Sequence, residues 1–174
     1  LVLDLDETLI HFEECHDDGQ GDDEVTYLVR PGAIQFLQDM AMHYELVIFT
    51  AAMPDYADWI LDSLLGEDKD IISYRLYRQH TTPKEDYAIK DLRILGRKLE
   101  HTIIVDNLCE NFIATTPDNG IWCESWYDDM EDNCLKLLGP FLEDLAESEV
   151  TDVRKYLTND YKDQIIYKCL EKGR

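Results

Sequence analysis

Hydrophobic residues gather along this chain in short unbroken blocks, and three of those blocks end on polar side chains. Leu1-Val2-Leu3 runs into Asp4, Leu46-Val47-Ile48-Phe49 into Thr50, and Ile103-Ile104-Val105 into Asp106-Asn107. A run without polar alternation suits a strand covered on both faces, so Leu1 to Leu3, Glu45 to Thr50 and Thr102 to Val105 predict central strands of a parallel sheet. Shorter strands are predicted at Val25 to Val29, Ile71 to Tyr77 and Gly120 to Cys123. Between them the period lengthens to that of helices. Pro31 opens one with Ile34, Phe36, Leu37, Met40 and Ala41 on its apolar side. Asp55 to Leu65 carries Tyr56, Trp59, Ile60 and Leu64 at helical spacing. Asp128 and Glu131 have capping-box form ahead of a helix carrying Leu135, Leu138, Phe141, Leu142 and Leu145. Val150 to Leu157 predicts another helix.

Residues 11 to 24 are polar and acidic, with Gly19 and Gly21, and read as a loop or flap; Thr81-Thr82-Pro83 reads as a break. Residues 159 to 174 alternate charges around Tyr161, Ile165 and Ile166, as a last amphipathic helix or a tail that docks on a partner. Strands alternating with helices give an α/β fold built on a mostly parallel sheet flanked by helices. The chain divides into one domain over 1–158, with an insertion at about 66–89, and the segment 159–174.

At 174 residues the chain is long enough for one proper core. Its longest apolar-rich stretch, Leu46 to Met53, is far too short to cross a bilayer. The sequence starts within a predicted strand and without Met, as a chain trimmed at its start does. A formal charge of −22 argues against direct nucleic-acid binding, which needs a basic footprint. The same field opposes phosphate, so a phosphate site here requires a divalent cation and local Lys or Arg. Substrates with basic flanks gain a little, weakly at physiological salt. The five cysteines are odd in number and form no Cys-x-x-Cys pair, which suits a reducing compartment, cytoplasmic or nuclear. No cysteine is followed at the sixth position by Arg, so a cysteine-nucleophile phosphatase is excluded. His11, Cys15, His16, Asp17 and Asp18 match no common metal template and read as part of a solvated loop.

If the three strands are parallel neighbours, Asp4, Asp6, Thr50, Asp106 and Asn107 converge at the carboxyl edge of the sheet, where α/β proteins bind ligands. Period-two geometry sends Asp4 and Asp6 the same way. Adjacent carboxylates repel and persist only with a cation or a shared proton. One can then act as nucleophile or metal ligand while the other moves protons. The bland alternative is a strand ending in an acidic turn.

The stretch Asp4-Leu5-Asp6-Glu7-Thr8-Leu9 resembles the first motif of haloacid-dehalogenase (HAD) phosphatases, and more narrowly the FCP/SCP-type small phosphatases of the RNA polymerase II C-terminal domain and related phosphoserine proteins. The likeness covers most of residues 1 to 157. It implies a Rossmann-like sheet with a small β-rich insertion and no large cap. It implies Asp4 as nucleophile forming an aspartyl-phosphate, and Asp6 as the acid and then the base. It further implies Mg²⁺ held by the Asp4 carboxylate, the Asp6 carbonyl and the Asn107 side chain, with Asp106 in support. Thr50 would bond the phosphate and Lys90 neutralise it, while Tyr56 and Arg78 would meet the peptide. Plainer roles stand beside these: Thr50 as a helix cap, Lys90 as a surface lysine, Tyr56 as packing beneath the insertion.

An aspartate two positions after the nucleophile goes with a leaving alkoxide that must be protonated, which favours a phosphatase over a dehalogenase. The inserts around the motifs are too short for a full lid domain, and an open crevice admits a phosphorylated protein loop. Two departures stand out: Leu108-Cys109 follows Asp106-Asn107 where the family usually has Ser-Pro, and Glu14 lies near a usual apolar contact. The expectation is a Mg²⁺-dependent protein serine/threonine phosphatase whose partner is a phosphorylated protein. A capless phosphatase of small metabolites and a catalytically weak phosphoprotein-binding scaffold, of the kind used in mitochondrial import, are the alternatives. A receiver domain is disfavoured, because its acceptor aspartate lies on a later strand.

Overall fold

The computed structural model describes residues 1–14 and 25–157. In chain order the strands are β1 (Val2–Leu3), β2 (Ile10–Glu14), β3 (Val25–Val29), β4 (Leu46–Phe49), β5 (Ile72–Leu76), β6 (Thr82–Pro83), β7 (Ala88–Ile89), β8 (Ile104–Asp106) and β9 (Gly120–Trp122). The α-helices are α1 (Ala33–Ala41), α2 (Pro54–Leu65), α3 (Glu110–Ile113), α4 (Cys134–Glu147) and α5 (Val153–Tyr156). Five strands form one parallel sheet in the order β5-β4-β1-β8-β9. The apolar blocks are therefore the three adjacent central strands β4, β1 and β8.

Register brings the strand ends level. Val2 lies opposite Val47 and Ile104, and Leu3 opposite Ile48 and Val105. Alternate residues feed opposite faces. Leu3, Ile48 and Val105 enter the larger core with Leu37, Ile60 and Leu138. Val2, Val47 and Ile104 enter a smaller one with Phe49, Leu92 and Phe112. In that smaller core Gly120 lies against the Phe112 ring, which occupies the space a Cβ would need. Gly120→Ala should therefore cost about 1–3 kcal/mol of unfolding free energy, because the ring must move within a packed layer. An unchanged denaturant midpoint would contradict this contact.

A buried guanidinium ties the outer layers to the sheet. Arg30 is 1% exposed, donates to both Asp132 carboxylate oxygens at 2.9 Å, and reaches the Thr8 carbonyl at 3.2 Å. Asp132 lies just ahead of α4, and α4 packs on α1.

Several local expectations need correction. Residues 11–14 are not loop: they continue β2, which pairs antiparallel with β3 from Ile10↔Val29 to Glu14↔Val25. Backbone pairing supplies that strand's bonds, so the polar side chains do not forbid it. Cys15, His16, Asp17, Asp18 and the segment 159–174 lie outside the described residues. No capping box forms, because α4 begins at Cys134 behind Asn133; instead Asp132 Oδ1 accepts from the Cys134 N–H at 3.0 Å. Helix α1 starts at Ala33 behind Gly32, whose φ of 80° is left-handed, and Ile34 is turned outward. Trp59 is also exposed, and meets the Tyr27 ring edge-on at 5.5 Å. The third block pairs only from Ile104 onward, and the helix predicted at Val150 is the single turn α5. Within 66–89, β5 is the edge strand of the main sheet, and β6 and β7 form a small ribbon. No large cap covers the carboxyl edge among the described residues. No helix among them is long and apolar enough to cross a membrane.

Candidate active site

The carboxyl ends of β4, β1 and β8 open into a crevice of about 420 Å³, lined by Asp4, Asp6, Thr50, Tyr56, Lys90 and Asn107 among others. A larger groove of about 680 Å³ lies away from it, between α1 and the start of α4.

Asp4 follows β1 directly and is 5% exposed. Its two carboxylate oxygens are held separately: Lys90 Nζ reaches Oδ1 at 2.5 Å, and Thr8 Oγ1 donates to Oδ2 at 3.0 Å. Lys90 also reaches Asp106 Oδ2 at 2.7 Å. It is not a surface lysine, being 0% exposed. Burial opposes its charge, but the Asp4 and Asp106 carboxylates outweigh that and hold the ammonium above its ordinary value. Burial and the nearby Asp4 charge push Asp106 up to about 6, against the pull of Lys90.

Asp6 is held by a different pair. The Tyr56 hydroxyl donates to Oδ1 at 2.6 Å and the Thr50 hydroxyl to Oδ2 at 3.2 Å. Burial raises the Asp6 pKa, and these two donors only partly offset it. Tyr56 is itself raised, first by burial and then by its bond to Asp6. Thr50 combines two positions, since its oxygen also accepts from the Ala52 N–H at 2.9 Å and so caps the turn before α2. After Asp6 the chain turns sharply through Glu7, whose φ is 55°. A non-glycine residue in that region costs about 1–2 kcal/mol. Bonds from Glu7 N–H to the Ile10 carbonyl (2.7 Å) and from Trp126 N–H to the Glu7 carbonyl (2.8 Å) hold it there.

On the β8 side, Asp106 accepts from the Leu108 N–H and from both-sided contact with Asn111 Nδ2 at 3.0 and 3.1 Å. Asn111 also takes the Lys90 N–H on its carbonyl (2.7 Å) and the Ala88 N–H on Oδ1 (3.2 Å). It thereby fixes the lysine segment against β8. Asn107 gives Nδ2 to Ser125 Oγ at 3.0 Å, which leaves the amide oxygen as its ligating atom. Arg78 lines the rim, with Nε on the Ala51 carbonyl at 2.6 Å.

Asp4, Asp6, Thr50, Tyr56, Arg78, Lys90 and Asn107 thus line one crevice, and Asp106 lies against it through Lys90. Two organising residues were not singled out as site residues. Thr8 could have been, since it follows Asp6 by two positions and closes the acidic motif. Asn111 had no local signal, because its partners lie on β8 and on the Lys90 segment.

The crevice fits Mg²⁺. No group of three or more His, Cys, Asp or Glu is disposed to hold a metal among the described residues. Mg²⁺ needs less, keeping several waters and taking one or two carboxylates or other hard oxygens. Asp4 and Asn107 offer such oxygens, and the two carboxylates paired with Lys90, Asp4 and Asp106, outnumber its single ammonium, leaving negative charge for a cation to balance.

The family model for NLI interacting factor-like phosphatases matches residues 1–154. The chain belongs to that family. These are C-terminal-domain phosphatases of the HAD type. The chain is 41% identical over 167 residues to a probable C-terminal domain small phosphatase of Dictyostelium discoideum, across 90% of this chain and 53% of that protein. It is 34% identical over 172 residues to the mitochondrial import inner membrane translocase subunit TIM50 of Kluyveromyces lactis, across 99% of this chain and 34% of that one. The chain spans about half the length of the first of these relatives. The fission yeast RNA polymerase II CTD phosphatase Fcp1, solved with beryllium fluoride bound, shares the fold with a TM-score of 0.57 at 17% identity, over 99% of this chain and 49% of that chain.

Proposed function

We propose that this chain is the catalytic domain of a Mg²⁺-dependent phosphatase that removes phosphate from serine or threonine of a protein through an aspartyl-phosphate on Asp4. The observation that carries the proposal is the division of labour between the two aspartates. Asp4 is clamped by Lys90 and Thr8, as a fixed nucleophile needs. Asp6 is held by hydroxyls and raised by burial, as a proton carrier needs.

In this reading an Asp4 carboxylate oxygen attacks phosphorus, and the bond from phosphorus to the serine oxygen breaks. Protonated Asp6 gives its proton to the departing alkoxide. The resulting Asp6 carboxylate then takes a proton from the water that attacks the aspartyl-phosphate, releasing inorganic phosphate and restoring Asp4. Thr50 moves its hydroxyl from Asp6 to a phosphate oxygen on binding, while Tyr56 keeps hold of Asp6. Lys90 compensates charge from below the attacking carboxylate. Bound Mg²⁺, held by Asp4, Asn107 and the Asp6 carbonyl, would neutralise the phosphate oxygens.

The uncapped crevice supports a protein substrate over a metabolite, which a closed site would shield from water. Among the described residues Cys109 and Cys123 carry free thiols, which supports a cytoplasmic or nuclear setting. A charge of −22 supports a partner other than nucleic acid, which needs a basic footprint.

Hydrolysis of an aryl phosphate and of phosphoserine peptides, each with Mg²⁺ and with chelator, tests the proposal. Turnover of both that requires Mg²⁺ is expected. Preference for sugar phosphates over peptides would move the assignment to a metabolite phosphatase. A folded protein that binds phosphopeptide without turnover would make it a scaffold.

A further inference from the structure

The ammonium that touches Asp4 is carried on a segment outside the main sheet. Lys90 follows β7, and β7 pairs with β6 in a separate two-stranded ribbon. Register within the main sheet therefore does not place it. Asn111, in α3 and 4% exposed, makes the connection instead. Its carbonyl accepts the Lys90 N–H at 2.7 Å, a bond that any residue at this position retains. The side chain adds something that only asparagine supplies. Its Oδ1 accepts the Ala88 N–H at 3.2 Å, which turns Nδ2 onto the Asp106 oxygens at 3.0 and 3.1 Å. Aspartate has the same shape but no donor there, serine is too short to span Ala88 and Asp106, and glutamine is a methylene too long.

One ammonium is shared by two carboxylates: Lys90 Nζ lies 2.5 Å from Asp4 Oδ1 and 2.7 Å from Asp106 Oδ2. Asp106 also accepts from the Leu108 N–H at 2.9 Å and from the Asn111 amide. Donors already on a carboxylate spread its charge and weaken its pull on a further cation. Stripped of the amide, Asp106 is left with one N–H and draws the ammonium away from Asp4. We propose that Asn111 is a positioning residue, whose carboxamide occupies Asp106 and so keeps the Lys90 ammonium on the Asp4 oxygen. The inference rests on the phosphatase reading and deepens it, since it names what sets the cation against the attacking carboxylate. Displacement of such a group by a fraction of an ångström slows chemistry without weakening substrate binding.

The test is a double-mutant cycle on the full chain, read as aryl phosphate turnover with Mg²⁺. Asn111→Ala should lower kcat by about 10- to 100-fold and leave KM within about twofold. Asp106→Asn removes the competing charge, so the ammonium has no second carboxylate to move to. Adding Asn111→Ala in that background should lower kcat by no more than about a further twofold. Melting curves check that each variant is folded, and Asn111→Ser takes the place of Asn111→Ala if the latter does not fold. A folded Asn111 variant with wild-type kcat, a loss confined to KM, or losses that multiply across the cycle overturns the inference. If neither Asn111 variant folds, the residue is structural and the inference falls. Turnover by the wild type with any of these results leaves the phosphatase reading standing. If the wild type turns over nothing, that reading falls and takes this inference with it.

Discussion

Asp4→Asn is expected to lower kcat by at least about a thousandfold on any phosphate ester while leaving a folded protein. The amide keeps the size of the carboxylate and an oxygen toward Lys90, but it cannot form the aspartyl-phosphate. Lys90 still has Asp106 at 2.7 Å, so the buried ammonium keeps a partner and the core is not left with an unpaired charge. The effect should appear in kcat rather than KM, because Thr50 remains to bond the phosphate and Arg78 to meet the peptide. Rapid-mixing experiments should also show no hydroxylamine-labile phosphoenzyme in the variant. Turnover that survived Asp4→Asn would remove the covalent mechanism and return both aspartates to the role of metal ligands for a water attack.

The sheet was legible because its information is local. Three uninterrupted apolar blocks gave three central strands, and their polar ends fell level because register follows from pairing Leu3 with Ile48 and Val105. What was not legible depends on partners distant in sequence. Nothing near Tyr56 says that its hydroxyl meets Asp6, 50 residues away, rather than a peptide. Lys90 looks like any lysine until Asp4, 86 residues away, and Asp106 close around it. Spacing alone put Ile34 and Trp59 on the apolar faces, but both are exposed, because where a helix starts and what stands opposite it decide which side is covered. The Asp128 and Glu131 pattern has the right spacing for a cap, yet Asp132 is already committed to Arg30 and takes the Cys134 N–H. Tertiary bonds outbid the local motif there.

Lys90→Met carries the second large effect, and it separates catalysis from stability. Methionine fills similar space but leaves the Asp4 and Asp106 carboxylates without the ammonium that bridges them. Removing one member of a buried charge cluster costs about 3–5 kcal/mol, because the remaining charges keep their desolvation penalty. Desolvation already raises Asp106 to about 6 with the lysine present, and losing Lys90 raises it further. A folded-state pKa above the unfolded one means that the native state binds more protons, so stability falls as pH rises through that range. The deficit of Lys90→Met against the wild type should therefore be largest near pH 8 and shrink toward pH 5, as measured by denaturant unfolding at each pH. Adding Asp106→Asn should recover part of that stability at pH 8 by removing one of the stranded charges, without recovering turnover, because the phosphate would still lack its buried cation. A deficit independent of pH would mean that Lys90 stabilises the fold through its packing, and that the three-way ion cluster contributes nothing of its own.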